Sequence, residues 1–296
     1  MSAIDLSLLP SPQVVETLNY ETILAEMIAD LVARDPDFTE LLESDPAIKI
    51  LEVAAYRELL VRQRVNDAAR SVMLAFARGA NLDQIGANFN ISRLVIDPGD
   101  ASAIPPEPEI LESDTDFRAR IQLALEGITT AGSVGSYVFH ALGADADVRD
   151  IQALSTEPGV VTVYVLSRSG TGTASGDLID KVDVALNQES VRPLTDLVNV
   201  VSAAIVEYAI EANLTMLPGP DPEVVRQSAE EKLTSYIESI RKIGYDVTLS
   251  GIYAALHQPG VQSVDLVSPL ATIVIGDGEA AYCTDIAVTA SEDTDV

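Results

Sequence analysis

Residues 46–78 read PAIKILEVAAYRELLVRQRVNDAARSVMLAFAR, and the spacing of their apolar positions predicts one long helix from Pro46 to Arg78. Proline suits the first turn of a helix, where its missing N–H removes no hydrogen bond, and the acidic run Asp37 to Asp45 ahead of it complements the positive helix end. At ~1.5 Å per residue the helix would span about 50 Å, far beyond an average globular helix, so it needs partners along its length. With ~100° between residues, Ile48, Leu51, Ala54, Ala55, Leu59, Val61, Val65, Ala69, Val72, Met73 and Phe76 fall on one broad face. Glu58, Arg62 and Asn66 interrupt that stripe with a polar layer. Glu58 precedes Arg62 by four residues, the favourable order for an ion pair on one helix. The layer reads either as a solvated gap from which Arg62 snorkels outward or as a device that sets which helix docks and in what register. Val53, Tyr56, Leu60 and Leu74 form a second, sparser apolar line opposite. A helix that is apolar on two sides is built to be sandwiched.

Outward from this helix, Tyr20 to Arg34 carries Ile23, Leu24, Met27, Ile28, Leu31 and Val32 at helical spacing and stops at Asp35-Pro36. Gly79 suits a helix stop, and Asn81 to Ala87 reads as a short helix folding back. The expected domain order is a helical region at 1–96, a Pro-rich acidic linker at 97–111, a first α+β domain at 112–203 and a second at 204–296. Within the first, Ser113 to Asp116 resembles a capping box that opens a helix from Asp114 to Leu125. A second helix runs from about Ser133 to Gly143. Val148 to Leu154 and Val160 to Leu166 are strands, and Gly176 to Leu186 is a helix capped by Ser175. In the second, Val206 to Leu214 alternates apolar and polar residues as a half-buried strand does. Asp221-Pro222 opens a helix that ends at Gly244, Ser250 to His257 forms a shorter one, and Val261 to Val267 is a strand followed by a hairpin across Gly276-Asp277-Gly278. The class is α+β: a helical N-terminal region with a long bundle helix, then split β-α-β, sandwich-like units. The acidic tail Ser291 to Val296 is expected to fray.

Composition narrows the function. The 296 residues hold 46 Asp plus Glu against 18 Lys plus Arg, a formal charge of -28, which repels a phosphate backbone and an anionic lipid surface alike. No stretch approaches the ~20 apolar residues of a spanning helix, and Met1 to Gln13 lacks the pattern of a secretory signal. Cys283, His140 and His257 are the chain's one cysteine and two histidines, too few for a spaced metal cluster. The run from Ser169 to Gly176 follows a strand and precedes a helix, the context of a dinucleotide turn, but its glycines are spaced G-x-G-x-x-x-G and no P-loop lysine is present. Asp114 with Asp116 sits at a helix start, where acids serve the dipole. Asp145, Asp147 and Asp150 lack the glycine and terminal glutamate of a calcium loop, and His140 has no nucleophile in an elbow-like context. No catalytic, metal or cofactor site is expected, with a nucleotide-binding or hydrolytic enzyme as the competing reading.

Several ordered blocks carry a resemblance: Ala54 to Arg70, Ala80 to Ala87, Glu112 to Arg118, Ala131-Gly132-Ser133, Val191 to Asp196 and Ser250 to His257. Together they resemble the baseplate assembly protein J family of contractile phage tails and of R-type pyocins. The resemblance implies a non-catalytic wedge subunit with no cofactor, assembled in the bacterial cytoplasm into a virion or tailocin baseplate. Its implied partners are a second, I-type wedge protein, further copies of itself, and other baseplate and sheath-proximal proteins, with no nucleic acid and no membrane. The wedges close a ring around the tail hub and couple fibre attachment to sheath contraction. The residues expected at a partner-helix interface are Leu51, Ala55, Glu58, Leu59, Arg62, Val65, Asn66, Ala69, Val72, Met73 and Phe76.

Overall fold

The computed structural model describes residues 4–10, 12, 14, 16–35, 38, 42–128, 132–219 and 221–292. The expected stop at Pro36, part of the acidic run before Pro46, Ala131 and the last residues of the acidic tail lie outside them. The chain divides into two compact units, one holding Ser2–Arg93 with Ser113–Gln122 and the other Leu94–Glu112 with Leu123–Val296.

The first unit is helical. Helix α1, Tyr20–Arg34, starts where the Asn19 side chain accepts a hydrogen bond from the Thr22 N–H. Helix α2, Pro46–Ser71, starts with Pro46 in its first turn and Asp45 accepting from the Ala47 N–H at 2.8 Å. The two pack together. At 26 residues, α2 is shorter than its sequence suggests, because the helix gives way after Ser71. Nothing in the run Val72 to Phe76 breaks a helix locally. The tertiary structure does: Arg118, on a later helix, donates from Nε to the Leu74 carbonyl and from Nη2 to the Ala77 carbonyl, both at 2.7 Å, and so holds this segment in a turn. Gly79 follows with φ +51°, a backbone conformation that costs a side-chain-bearing residue more than glycine. Helix α3, Ala80–Ala87, and helix α4, Asp114–Leu123, complete the unit. They meet at Phe117, which is fully buried. A Cβ on Gly86 would lie 2.5 Å from Phe117 Cζ, so only glycine lets the ring sit this close to α3. Arg93 covers the ring, its guanidinium 4.8 Å from the centroid, and pairs with Asp83 and Asp114.

The second unit is α+β. Its Pro-rich segment is a ribbon rather than bare linker: β1, Val95–Asp97, pairs antiparallel with β2, Ile110–Leu111, and Asp100 and Glu107 exchange backbone hydrogen bonds beyond them. Helix α5, Val134–Leu142, begins at a Ser133 cap. Strands β3, Val148–Glu157, and β4, Val160–Ser167, form an antiparallel hairpin. Helix α6, Gly176–Leu186, capped by Ser175, crosses to β5, Leu197–Ser202, which lies parallel to β4. Strand β5 is additional to the strands expected from the sequence. Tyr137 and Ala141 of α5 and Leu178, Val182 and Leu186 of α6 bury against Val148, Ile151, Val163, Val165 and Val198 of this sheet.

After one residue, Ala203, the chain enters β6, Ala204–Met216, the centre of a second sheet. Its alternation is as expected: Tyr208, Ile210, Ala212, Leu214 and Met216 are buried while Glu207, Ala209, Glu211 and Asn213 are exposed. Helix α7, Pro222–Ile240, and helix α8, Leu249–Leu256, lie over it, and β7, Val261–Ser268, and β8, Glu279–Glu292, flank it. The hairpin expected across Gly276-Asp277-Gly278 does not form. The loop instead carries the chain to the far side of β6, with which β8 runs parallel over its length while β7 pairs antiparallel on the other edge. A long central strand offers more backbone donors and acceptors than a β7–β8 pairing would satisfy. Val225, Ala229, Leu233 and Ile237 of α7 with Ile252 and Leu256 of α8 fill this second core.

Candidate assembly surface

On α2 the two apolar sides have different fates. Ile48, Ala55 and Asn66 are buried, while Leu51, Glu58, Leu59, Arg62 and Ala69 are half-buried. These residues make up the side that faces the chain's own N-terminal portion. Asn66 shows how: its Nδ2 donates to the Glu16 carbonyl at 2.9 Å and its Oδ1 accepts from the Glu16 N–H at 3.0 Å. Arg62 donates from Nε to Glu58 at 2.9 Å and from Nη1 to the Glu16 carboxylate at 3.4 Å, and the Tyr20 hydroxyl reaches the Glu52 carbonyl at 3.4 Å. The polar layer therefore sets a register within the chain, because a side-chain amide that satisfies both backbone groups of Glu16 lets residues 16–19 lie against α2 in only one alignment. Replacing Asn66 with leucine leaves those two backbone groups desolvated and unpaired. A stability loss of about 1–3 kcal/mol in chemical denaturation is expected, with amide exchange accelerated at residues 16–19. Unchanged exchange there would contradict the register role.

Among the described residues the other side of α2 has no such cover. Ile50, Val53, Val61, Val65 and Val72 are each 55–73% exposed, and Tyr56 and Leu60 are exposed as well. Arg57 and Arg64 lie on the same side, and among the described residues neither side chain has a hydrogen-bond or ion-pair partner. Of the residues expected at a partner interface, Val65 and Val72 are thus open to solvent, while Met73 and Phe76 sit half-buried in the turn beyond the helix end.

Four of the blocks of sequence that resemble the J family meet in two pairs, and a fifth packs on α7. Ala80 to Ala87 joins Asp114 to Arg118 through the Gly86–Phe117 contact and the Arg93 pairs. Gly132 lies where a Cβ would fall 2.9 Å from Pro193 and 3.0 Å from the Asp196 carboxylate, and the Tyr137 hydroxyl donates to that carboxylate at 2.8 Å. Burial, reinforced by Asp196, holds the Tyr137 phenol above its usual range. Gly251 in the Ser250 to His257 block makes room for the Tyr236 ring, whose hydroxyl would lie 2.1 Å from an added Cβ. These blocks are packing joints that hold the framework together.

The groups weighed for chemistry are engaged structurally. Ser175 accepts from the Leu178 N–H, and Ser167 N–H donates to the Gly172 carbonyl, closing the glycine-rich loop on itself. Asp145 takes Lys181 and the Asp147 N–H, and Asp147 takes the Ser167 and Ser169 hydroxyls. Desolvation pushes the carboxyl of half-buried Asp150 up, and it accepts from the Ile243 N–H at 2.9 Å. Burial on Asp114 is outweighed by Arg93 and the Gly79 N–H, so its carboxyl lies below the usual range. His140 stands edge-on to Phe139 with its pKa lowered by burial, and burial pushes the Cys283 thiol up. Among the described residues no three His, Cys, Asp or Glu side chains gather to hold a metal ion, and no helix is long and apolar enough to cross a membrane.

Comparison with known proteins agrees with this framework. Residues 43–100 match the Baseplate J-like N-terminal domain, 129–202 the Baseplate J-like central domain and 208–289 the Baseplate J-like protein C-terminal domain. The chain is 52% identical over 295 residues to baseplate protein J of Escherichia phage P2, covering 97% of this chain and 98% of that one. It also aligns, at 16% identity and a TM-score of 0.40, with a cryo-EM structure of the anti-feeding prophage (AFP) baseplate, 6-fold symmetrised, over 64% of this chain and 44% of that chain, so it spans less than half of that protein's length. Three domain matches in order and half-identity along nearly the whole chain leave one assignment: the protein belongs to the baseplate J-like family and is a structural component of a contractile-tail baseplate, not an enzyme.

Proposed function

We propose that this chain is a wedge subunit whose α2 docks a helix of a second, I-type wedge protein on its solvent-facing side. The wedges so formed, together with further copies of the chain and sheath-proximal proteins, close a ring around the tail hub and couple fibre attachment to sheath contraction. Assembly takes place in the bacterial cytoplasm before the virion or tailocin is released. The observation that carries this reading is the uncovered line Ile50, Val53, Val61, Val65 and Val72 on a helix whose opposite side is occupied by the chain itself. An apolar stripe at helical spacing, left open in a folded chain, is the helix-in-groove mode of recognition. The polar layer expected at the partner interface supports this indirectly, by keeping the first side closed. We further take the chain on either side of residue 203 as separate folding domains, since each surrounds its own core, while 113–122 packs with the helical unit.

Co-expression with an I-type wedge protein tests the reading. A stable heteromer is expected by size exclusion with light scattering at micromolar concentration. Two separate monomers eluting under those conditions would refute it.

A further inference from the structure

A second surface on the helical unit, distinct from the α2 line and not dependent on it, carries its own chemistry. Where α2 ends, a cleft of 880 Å³ opens between the turn that follows it and the first turns of α3 and α4. Arg70, Arg78 and Arg118 line it, with Phe76, Asn81 and Thr115. In a chain that carries 18 cationic side chains against 46 acidic ones, a cleft lined by three guanidiniums and two carboxylates, Asp67 and Asp114, is a local inversion of sign. Arg118 is already committed through Nε and Nη2 to the Leu74 and Ala77 carbonyls. Arg70 and Arg78 are not: among the described residues neither side chain has a hydrogen-bond or ion-pair partner. The two carboxylates are engaged elsewhere, since Asp67 takes the Gln63 amide at 2.8 Å and Asp114 takes Arg93 and the Gly79 N–H. Two free planar forks beside an aromatic ring, with the positive ends of two helices on the same side, suit carboxylates carried next to apolar side chains.

We propose that this cleft is a docking site for an acidic peptide segment of a neighbouring baseplate subunit, with Arg70 and Arg78 pairing its carboxylates and Phe76 packing on an adjacent apolar residue. A body of charge -28 repels acidic partners at long range. The cleft is then the place where such a partner is accepted, and it fixes the orientation of approach.

The probe is a fluorescent, end-blocked hexapeptide of sequence Asp-Glu-Leu-Asp-Glu-Leu, titrated with the whole chain at low salt and followed by anisotropy. Saturable binding is expected, weakening as salt is raised. The Asn-Gln-Leu-Asn-Gln-Leu counterpart should not saturate. Arg70→Gln with Arg78→Gln should weaken binding about tenfold or more, one decade per ~1.4 kcal/mol. Arg57→Gln with Arg64→Gln, the same charge change on the solvent-facing side of α2, should shift it less than about twofold. Arg78→Glu alone, at an exposed position, must weaken binding even if the glutamine pair lowers the thermal midpoint. The proposal is overturned if the peptide does not saturate, if the two glutamine pairs lose binding equally, or if Arg78→Glu binds as the parent does. Displacement of the peptide by single-stranded oligothymidine at lower concentration would also overturn it, in favour of phosphate. Because the α2 line is read by heteromer formation and this cleft by peptide binding, either can fail without the other.

Discussion

Replacing Phe117 with alanine is expected to remove about 3–5 kcal/mol from the helical unit, the range for truncating a fully buried aromatic. The upper half of that range applies. The ring has no exposed surface, and three residues surround it: Gly86 of α3 approaches to where a Cβ would lie 2.5 Å from Cζ, the Arg93 guanidinium stacks 4.8 Å from the centroid, and Arg120 of the same helix lies at 6.0 Å. Alanine leaves a cavity bounded partly by helix backbone, which cannot close by rotating a side chain. It also strips Arg93 of its aromatic face, worth about 0.5–2 kcal/mol by itself. Because the chain holds two units, hydrogen exchange should localise the effect. Faster exchange is expected in α3 and the 72–79 turn while β6 and its neighbours keep their protection. A loss below about 1 kcal/mol, or one spread evenly over both units, would contradict this account of the joint.

Val61→Glu combined with Val65→Glu should behave in the opposite way. Both side chains are more than half exposed, and glutamate is the better helix former, so the isolated chain should keep its stability within about 0.5 kcal/mol. Heteromer formation with an I-type wedge protein should fall by about 30-fold or more, which corresponds to burying two charges at the centre of a helix interface at ~2 kcal/mol or above. Gel-filtration titration of the folded double variant against the partner measures this directly. Parent-like association would place the partner elsewhere on the chain. Asn66→Leu gives the complementary result, lower stability with the outer surface intact, so the two variants separate the closed side of α2 from the open one.

Much of the framework was legible because it depends on local chemistry. The caps at Ser133, Ser175 and Asp221, the first-turn prolines of α2 and α7, and the alternation of β6 each rest on residues within one or two turns or one strand, where short-range sterics and hydrogen bonding dominate. Strand β5 differs: its pairing is parallel and set by the α6 crossover, and one residue separates it from β6, so its short apolar run merges with the β6 pattern although its own burial alternates, with Val198 buried between exposed Leu197 and Asn199. The glycine-rich run at 276–278 resembles a hairpin turn to any local reading. Whether it turns back or crosses over depends on β6, where Ala204 pairs with Glu279 across a separation of 75 residues (279 less 204).

Helix α2 shows the same division. Its existence, its start at Pro46, its two apolar sides and its polar layer of Glu58, Arg62 and Asn66 follow from the sequence alone, because helical periodicity and capping are local. Its end at Ser71 does not, since the deciding contact is Arg118 on another helix drawing the Leu74 and Ala77 carbonyls out of register. Nor does the sequence say which apolar side is free. Periodicity describes a surface but not what covers it, and only the tertiary structure, by laying Glu16 against Asn66, closes one side of α2 and leaves the other for a partner.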